Sequence, residues 1–119
     1  MVDPLGDATM SALHTALSGL SLRQRTIADN IANIQTPGFL AGRVNFEDSL
    51  RGAMATGADP SAVQTSVQRS LEPTQLNGNN VNLDQEMLSS TKTNLEYQLA
   101  VEAVNAKFQR LRIALGGQG

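Results

Sequence analysis

Between Met10 and Ile34 the chain repeats a step of three and four residues: Met10, Leu13, Leu17, Leu20, Gln24, Ile27, Ile31 and Ile34. All but Gln24 are apolar, so a single stripe follows one face of a helix, as in a coiled-coil seam. Roughly 27 residues at 1.5 Å each predict a rod of about 40 Å. Asp7, with Pro4 and Gly6 before it, is the expected N-cap. Gly19 weakens such a helix by up to about 1 kcal/mol against Ala, but permits close approach of another helix. The stripe stops at Thr36-Pro37-Gly38. The residue before a proline avoids the helical region, and Pro-Gly suits the two central positions of a type II turn.

A second stripe closes the chain: Tyr97, Val101, Val104, Phe108, Leu111 and Leu115 again step by four and three. Met87 extends it backward, with Ser90 and Asn94 interrupting, and Leu88, Leu95 and Leu99 form a second ridge beside it. Asn82 is the expected cap, with Gln85 in the capping-box position. Asp84 and Glu86 suit the first turn, and Lys107, Arg110 and Arg112 suit the last turns, of a helix dipole. Gly116-Gly117 is the expected stop.

The middle is different. Phe39, Val44, Phe46 and Leu50 are separated by polar residues and predict an irregular arm with one helical turn at Phe46 to Leu50. Arg51 to Gln75 is rich in Ala, Gly, Ser, Thr and Gln. It predicts a mobile loop with a marginal strand at Val63 to Val67. Asn77-Gly78 predicts a turn. The fold class is therefore mainly α: two long terminal helices pairing as an antiparallel coiled coil, around an irregular, partly disordered middle. The expected segments are 1–36 (helix, with disordered first residues), 37–82 (arm and loop) and 83–119 (helix). The stripes form either the core of a private hairpin or a seam shared between subunits. Two helices share only one interface, which favours a marginal monomer completed by its neighbours.

Composition narrows the chemistry. The 119 residues fit one small domain, and a net charge of -2 gives no push toward nucleic acid or an anionic membrane. No basic patch with interleaved aromatics is present. Cysteine is absent, which excludes disulfides and thiolates. No apolar run is long enough to span a membrane. The first ten residues lack a secretory-signal pattern, so any exit from the cytoplasm is expected by another route. His14 is the only histidine and reads as a helix-surface residue, since a metal site wants several ligands. Asp29, Glu47, Asp48, Asp84 and Glu86 read as solvated or capping carboxylates. No catalytic, metal or cofactor site is expected.

The stretch "NIANIQTPGF" closely resembles the N-terminal signature of bacterial flagellar axial proteins: Asn-Ile-Ala-Asn, two residues, then Thr-Pro-Gly and an aromatic. Here it is Asn30, Ile31, Ala32 and Asn33, then Thr36, Pro37, Gly38 and Phe39. The segments "NGNNVNLDQEM" and "NLEYQLAVEAVNAKFQRLRIAL" look like the C-terminal half of the proximal-rod FlgB family, with the related proximal-rod family FlgC as the alternative assignment. The resemblance covers roughly 8–51 and 76–115. Asn82 stands where aspartate is common, and Phe39 where tyrosine is common.

The resemblance implies a structural subunit of the proximal rod, exported unfolded by the flagellar type III apparatus and folding on assembly. Its implied partners are other rod subunits, copies of itself, rod-adaptor and ring proteins, and the export gate. Its implied location is the periplasmic part of the basal body. Phe46 and Leu50 match the export-gate pattern of Phe, three residues, then an apolar residue. Asn30 and Asn33 are expected either to bond backbone or neighbouring-subunit groups, or to cap the last helical turns. The alternative function is a soluble helical adaptor or secretion chaperone, which would be a stable dimer with cooperative melting. A peptidoglycan hydrolase would need a cleft with a carboxylate, and no feature of the sequence builds one.

Overall fold

The computed structural model describes residues 4–116. Two long helices dominate it: α1, Pro4–Ala32, and, at the other end of the chain, a helix over Leu83–Leu115. They run antiparallel, because Asn30 meets Glu86, Gln24 meets Asn94, and Tyr97 and Ala100 pack beside Leu20. The result is a flat rod of 66 × 29 × 14 Å.

The start of α1 differs from the expected cap. Helix begins at Pro4, so Asp7 lies in the first turn and not at the N-cap. Proline suits that first position, where its missing N–H would be unpaired anyway. The expected disorder of the first residues is left with 1–3, and these lie outside the described residues, as does Gly117. Within the α1 stripe Leu20 and Ile27 are buried, while Met10, Leu13, Leu17, Ile31 and Ile34 are half-buried. Gln24, the polar break in that stripe, donates from Nε2 to Asn94 Oδ1 at 2.6 Å. The polar breaks of the two stripes therefore face each other.

The second stripe is only partly covered. Tyr97, Val101 and Val104 are half-buried, whereas Phe108, Leu111 and Leu115 are more than half exposed. Toward the start of the helix the inward face rotates by one residue. Glu86 and Thr93 are buried and Met87 points out. Leu88, Leu95 and Leu99 are exposed as well.

The middle packs against α1. Strand β1, Gly42–Val44, pairs antiparallel with β2, Val67–Arg69, setting Gly42 opposite Arg69 and Val44 opposite Val67. Between them helix α2 spans Glu47–Thr56, ten residues where one turn was expected. The Leu83–Leu115 helix is thus α3. The segment read as a mobile loop over Arg51 to Gln75 is anchored by polar groups. Thr15 Oγ1 donates to Pro60 C=O at 3.0 Å, and Ser70 N–H to Ala41 C=O at 2.8 Å. Such anchors leave no apolar periodicity, which is why the pattern missed them. The strand expected at Val63 to Val67 starts four residues later, at Val67, because Val63 closes a 3₁₀ turn over Pro60–Ala62.

The apolar centre is Leu20, Val44 and Phe46, with Ala16, Leu22, Leu50, Tyr97 and Ala100 around it. Gly19 makes this possible. A Cβ there would sit against the Phe46 ring, so the bare backbone is the seat for that side chain. Arg23 locks the same corner. Its guanidinium donates to both Glu47 oxygens at 2.7 Å and to Val44 C=O at 2.6 Å, and its Cζ lies 5.1 Å from the Phe46 ring centre. The hydrogen bonds from Arg23 hold the Glu47 carboxyl below its ordinary value, against the opposing effect of partial burial.

Two outcomes follow from this corner. Gly19→Ala gains about 1 kcal/mol of helix propensity but loses more to overpacking, typically about 1–3 kcal/mol. Its thermal midpoint should fall by a few degrees, whereas Gly52→Ala, with open space around it in α2, should raise the midpoint. Differential scanning calorimetry reads both signs. Glu47 has a depressed folded pKa, so its contribution is present above its unfolded value near 4.5 and is lost as pH falls through the lower folded value. The stability difference between the parent and Glu47→Gln should therefore be constant from pH 5.5 to 7 and shrink below about 4.5, as read by urea titration.

Candidate functional site

The signature residues gather at one end of the rod. Asn30 is fully buried on α1. Its Oδ1 accepts from Gly42 N–H at 2.8 Å, and its Nδ2 donates to Gly42 C=O and to Glu86 Oε2, both at 3.0 Å. One amide thus joins α1, β1 and α3. Glu86, also fully buried, takes Arg43 Nη1 on its other oxygen at 2.6 Å. Arg43 in turn reaches Gln85 Oε1 at 3.3 Å and Glu72 at 3.8 Å. Glu86 is therefore not the solvated first-turn carboxylate expected of it, and Glu47 is not a free one either. In both cases the partner arginine lies far away in sequence.

Asn33 acts at the helix end. Its Nδ2 donates to Asp29 C=O at 2.8 Å and to Asp29 Oδ1 at 3.1 Å, and its Oδ1 accepts from Thr36 Oγ1 at 3.1 Å. Ile31 and Ile34 are half-buried and Ala32 is exposed. The turn then follows: Phe39 N–H donates back to Thr36 C=O at 3.2 Å, across Pro37 and a Gly38 of φ +74°. A side chain at such a φ is strained, so glycine belongs there. Phe39 lies under the Arg69 guanidinium, 5.4 Å from its Cζ.

A second turn backs onto the first. Gly38 N–H donates to Asn77 C=O at 2.9 Å, and a Cβ on Gly78 would be 3.2 Å from Gly38 Cα. The two glycines meet backbone to backbone. Buried Asn79 donates from Nδ2 to the carbonyls of Asn33 and Thr36, both at 2.9 Å, and accepts from Val81 N–H at 2.8 Å. Asn80 accepts from Ala41 N–H at 2.7 Å and donates to Ser70 and Glu72 carbonyls at 3.2 Å. Asn82 Oδ1 accepts from Gln85 N–H at 3.1 Å and caps α3. Among the described residues every buried side-chain nitrogen and oxygen has a partner.

Sequence reasoning read "NGNNVN" as turn and cap, and missed Asn79, Asn80, Arg43 and Glu86. The available signal was composition: Asn77, Asn79, Asn80 and Asn82 fall within six residues, more amides than a turn and one cap need. Arg43 carried no signal, because its partners are distant in sequence. The other site residues lie elsewhere. Phe46 is 3% exposed in the core and Leu50 is half-buried beside it, some turns of α1 away from the polar clasp that Asn30, Asn33 and Asn79 form. His14 is exposed beside Ser11, Ser18 and Ser61.

This geometry holds backbones together. It exposes a signature turn, two apolar α3 ridges and no helix long and apolar enough to cross a membrane among the described residues. Comparison with known proteins agrees with a structural part. Residues 10–39, which take in most of α1 and the clasp turn, match the family described as flagella basal body rod protein. The chain is 34% identical over 125 residues to the flagellar basal body rod protein FlgB of Bacillus subtilis (strain 168), covering 95% of this chain and 97% of that one. It is 34% identical over 117 residues to FlgB of Aeromonas hydrophila, covering 87% and 89%. It is 30% identical over 129 residues to FlgB of Escherichia coli (strain K12), covering 92% and 93%. Pairing of terminal helices, the clasped Thr-Pro-Gly turn and similarity along nearly the whole chain lead to one conclusion: the chain belongs to the FlgB family of flagellar basal-body rod proteins, structural subunits of the motility apparatus.

Proposed function

We propose that this chain is a proximal-rod subunit, exported unfolded through the flagellar type III apparatus and completed by its neighbours in the periplasm. The observation that carries this reading is the uncovered apolar surface of α3. Phe108, Leu111 and Leu115 continue the α1–α3 seam, yet each is more than half exposed. Leu88, Leu95 and Leu99 form a second uncovered ridge. One partner helix covers one side of a seam, and packing among several subunits covers the rest. The neighbours proposed are copies of this chain, other rod subunits and the rod-adaptor and ring proteins of the basal body. The clasp around Asn30, Asn33 and Asn79 sets the direction in which the middle segment leaves the paired helices.

The export reading assigns Phe46 and Leu50 to the gate. Phe46 is buried once the arm packs on Gly19, so the gate would meet it on an unfolded chain. A soluble adaptor or chaperone would instead cover its apolar ridges in a stable dimer of its own.

Deleting the coding region and imaging isolated basal bodies by electron microscopy tests the rod role. The expected result is rings without rods, restored by the intact gene; complete rods and hooks would end this reading. A second measurement separates export from folding. Phe46→Ala and Leu20→Ala both empty the same core and should each lower stability by about 2–5 kcal/mol. Only Phe46→Ala should lower secretion of the subunit into the medium of a rod-less strain. Equal secretion of the two variants would remove the gate assignment.

A further inference from the structure

Two features unused by the clasp or the seam match each other. The first is a loop. Leu71 and Leu76 are fully or almost fully exposed, at 93% and 110% relative exposure, on a segment that is otherwise polar. The loop is held firmly beneath them: Asn80 Nδ2 bonds the Ser70 and Glu72 carbonyls, Gln75 N–H bonds Asn79 C=O at 2.8 Å, and Gly78 N–H bonds Gln75 C=O at 2.9 Å. Single exposed leucines are common on protein surfaces. Two on a short, anchored loop are apolar knobs whose ordering is already complete, which lowers the cost of docking.

The second feature is a groove of about 460 Å³ between α1, α2 and α3, lined mainly by apolar side chains such as Ala16, Leu50, Met54 and Leu99. Arg51 and Glu96 stand among its lining residues. Arg51 is largely exposed and, among the described residues, pairs only with the nearly fully exposed Asp48, an ion pair that water leaves weak. The loop carries the matching signs, since Arg69 and Glu72 flank Leu71, and the half-exposed Glu72 is held in its own chain only by a long 3.8 Å ion pair with Arg43. The knobs cannot reach the groove of their own chain. The loop sits by Asn33, and the groove by Ala16, about 25 Å away along α1 at 1.5 Å per residue.

We propose that the Leu71–Leu76 loop of one subunit seats in the α1–α2–α3 groove of a second copy of this chain, with Glu72 meeting Arg51. The contact is heterologous: loop on one copy, groove on the next. Made head to tail, it propagates along an assembly. This rests on the rod reading and adds to it the surface by which neighbouring copies recognise each other.

The absence of cysteine makes a clean test. Leu71→Cys and Met54→Cys are prepared as separate full-length chains, checked by circular dichroism, mixed at high concentration and oxidised with diamide. Leu99→Cys replaces Met54→Cys if the latter perturbs the helices. The expected result is a mixed disulfide dimer at least fivefold above either homodimer. Arg51→Glu in the groove chain should cut its yield several-fold, and Glu72→Lys in the loop chain should restore it. A statistical mixture of dimers, or a charge reversal without effect or rescue, overturns the contact. So does cross-linking of the groove to a different flagellar subunit while this loop stays free. Rings without rods in the deletion strain, alongside no mixed dimer, would leave the rod role standing and remove this contact alone.

Discussion

The buried amide of Asn30 is the interaction on which the arrangement depends. An asparagine offers two donors and one acceptor oxygen, and here they serve β1 twice and α3 once. Placed in a fully buried site, such an amide is costly wherever a partner is lost, by about 1–3 kcal/mol per unmet group. The cost makes the geometry selective. Strand β1 must lie across α1 at Gly42, and α3 must present Glu86 at the same level. Arg43, on the neighbouring residue of β1, then neutralises the carboxylate that Asn30 has drawn inward.

From that point the rest of the middle segment is set step by step. Thr36-Pro37-Gly38 turns the chain out of α1, and Asn77-Gly78 brings it back, with two glycine backbones in contact between them. Asn79 and Asn80 then satisfy carbonyls and an N–H that these turns would leave open. The return path lays β2 beside β1 and leads into the capped start of α3. At the far side of β1 the same logic runs through Arg23, which ties Val44, Phe46 and Glu47 to α1. Polar side chains that bond backbone, not a large apolar core, organise this half of the molecule. That fits a chain with only four aromatic residues.

The other half of the molecule is simple by comparison. Toward the Leu115 end of α3, large apolar side chains remain open to solvent. An ordered end and an uncovered end on one rod is a sensible division for a building block. The first gives each subunit a defined shape. The second leaves free energy of burial to be gained only when other subunits arrive.

The sequence by itself determined the two helices, the break at Thr36-Pro37-Gly38 and the cap at Asn82, because each rests on local geometry: a 3.6-residue period, a fixed proline φ, a glycine at positive φ, a side-chain oxygen within three residues of an N–H. The signature around Asn30 and Asn33 was legible as a motif, but its two amides looked alike. Only the tertiary structure separated them, turning Asn30 inward to β1 and α3 and leaving Asn33 to close its own helix end. The same holds for Glu86 and Glu47, which local reading placed in solvent and distant arginines drew into the fold. Helix α2 and the anchored loop also escaped the pattern, since their stabilising contacts come from Thr15, Ala41 and Asn80, far along the chain. What depends on period and dihedral can be read locally; what depends on which polar group meets which across the fold is decided only when the backbones are in place.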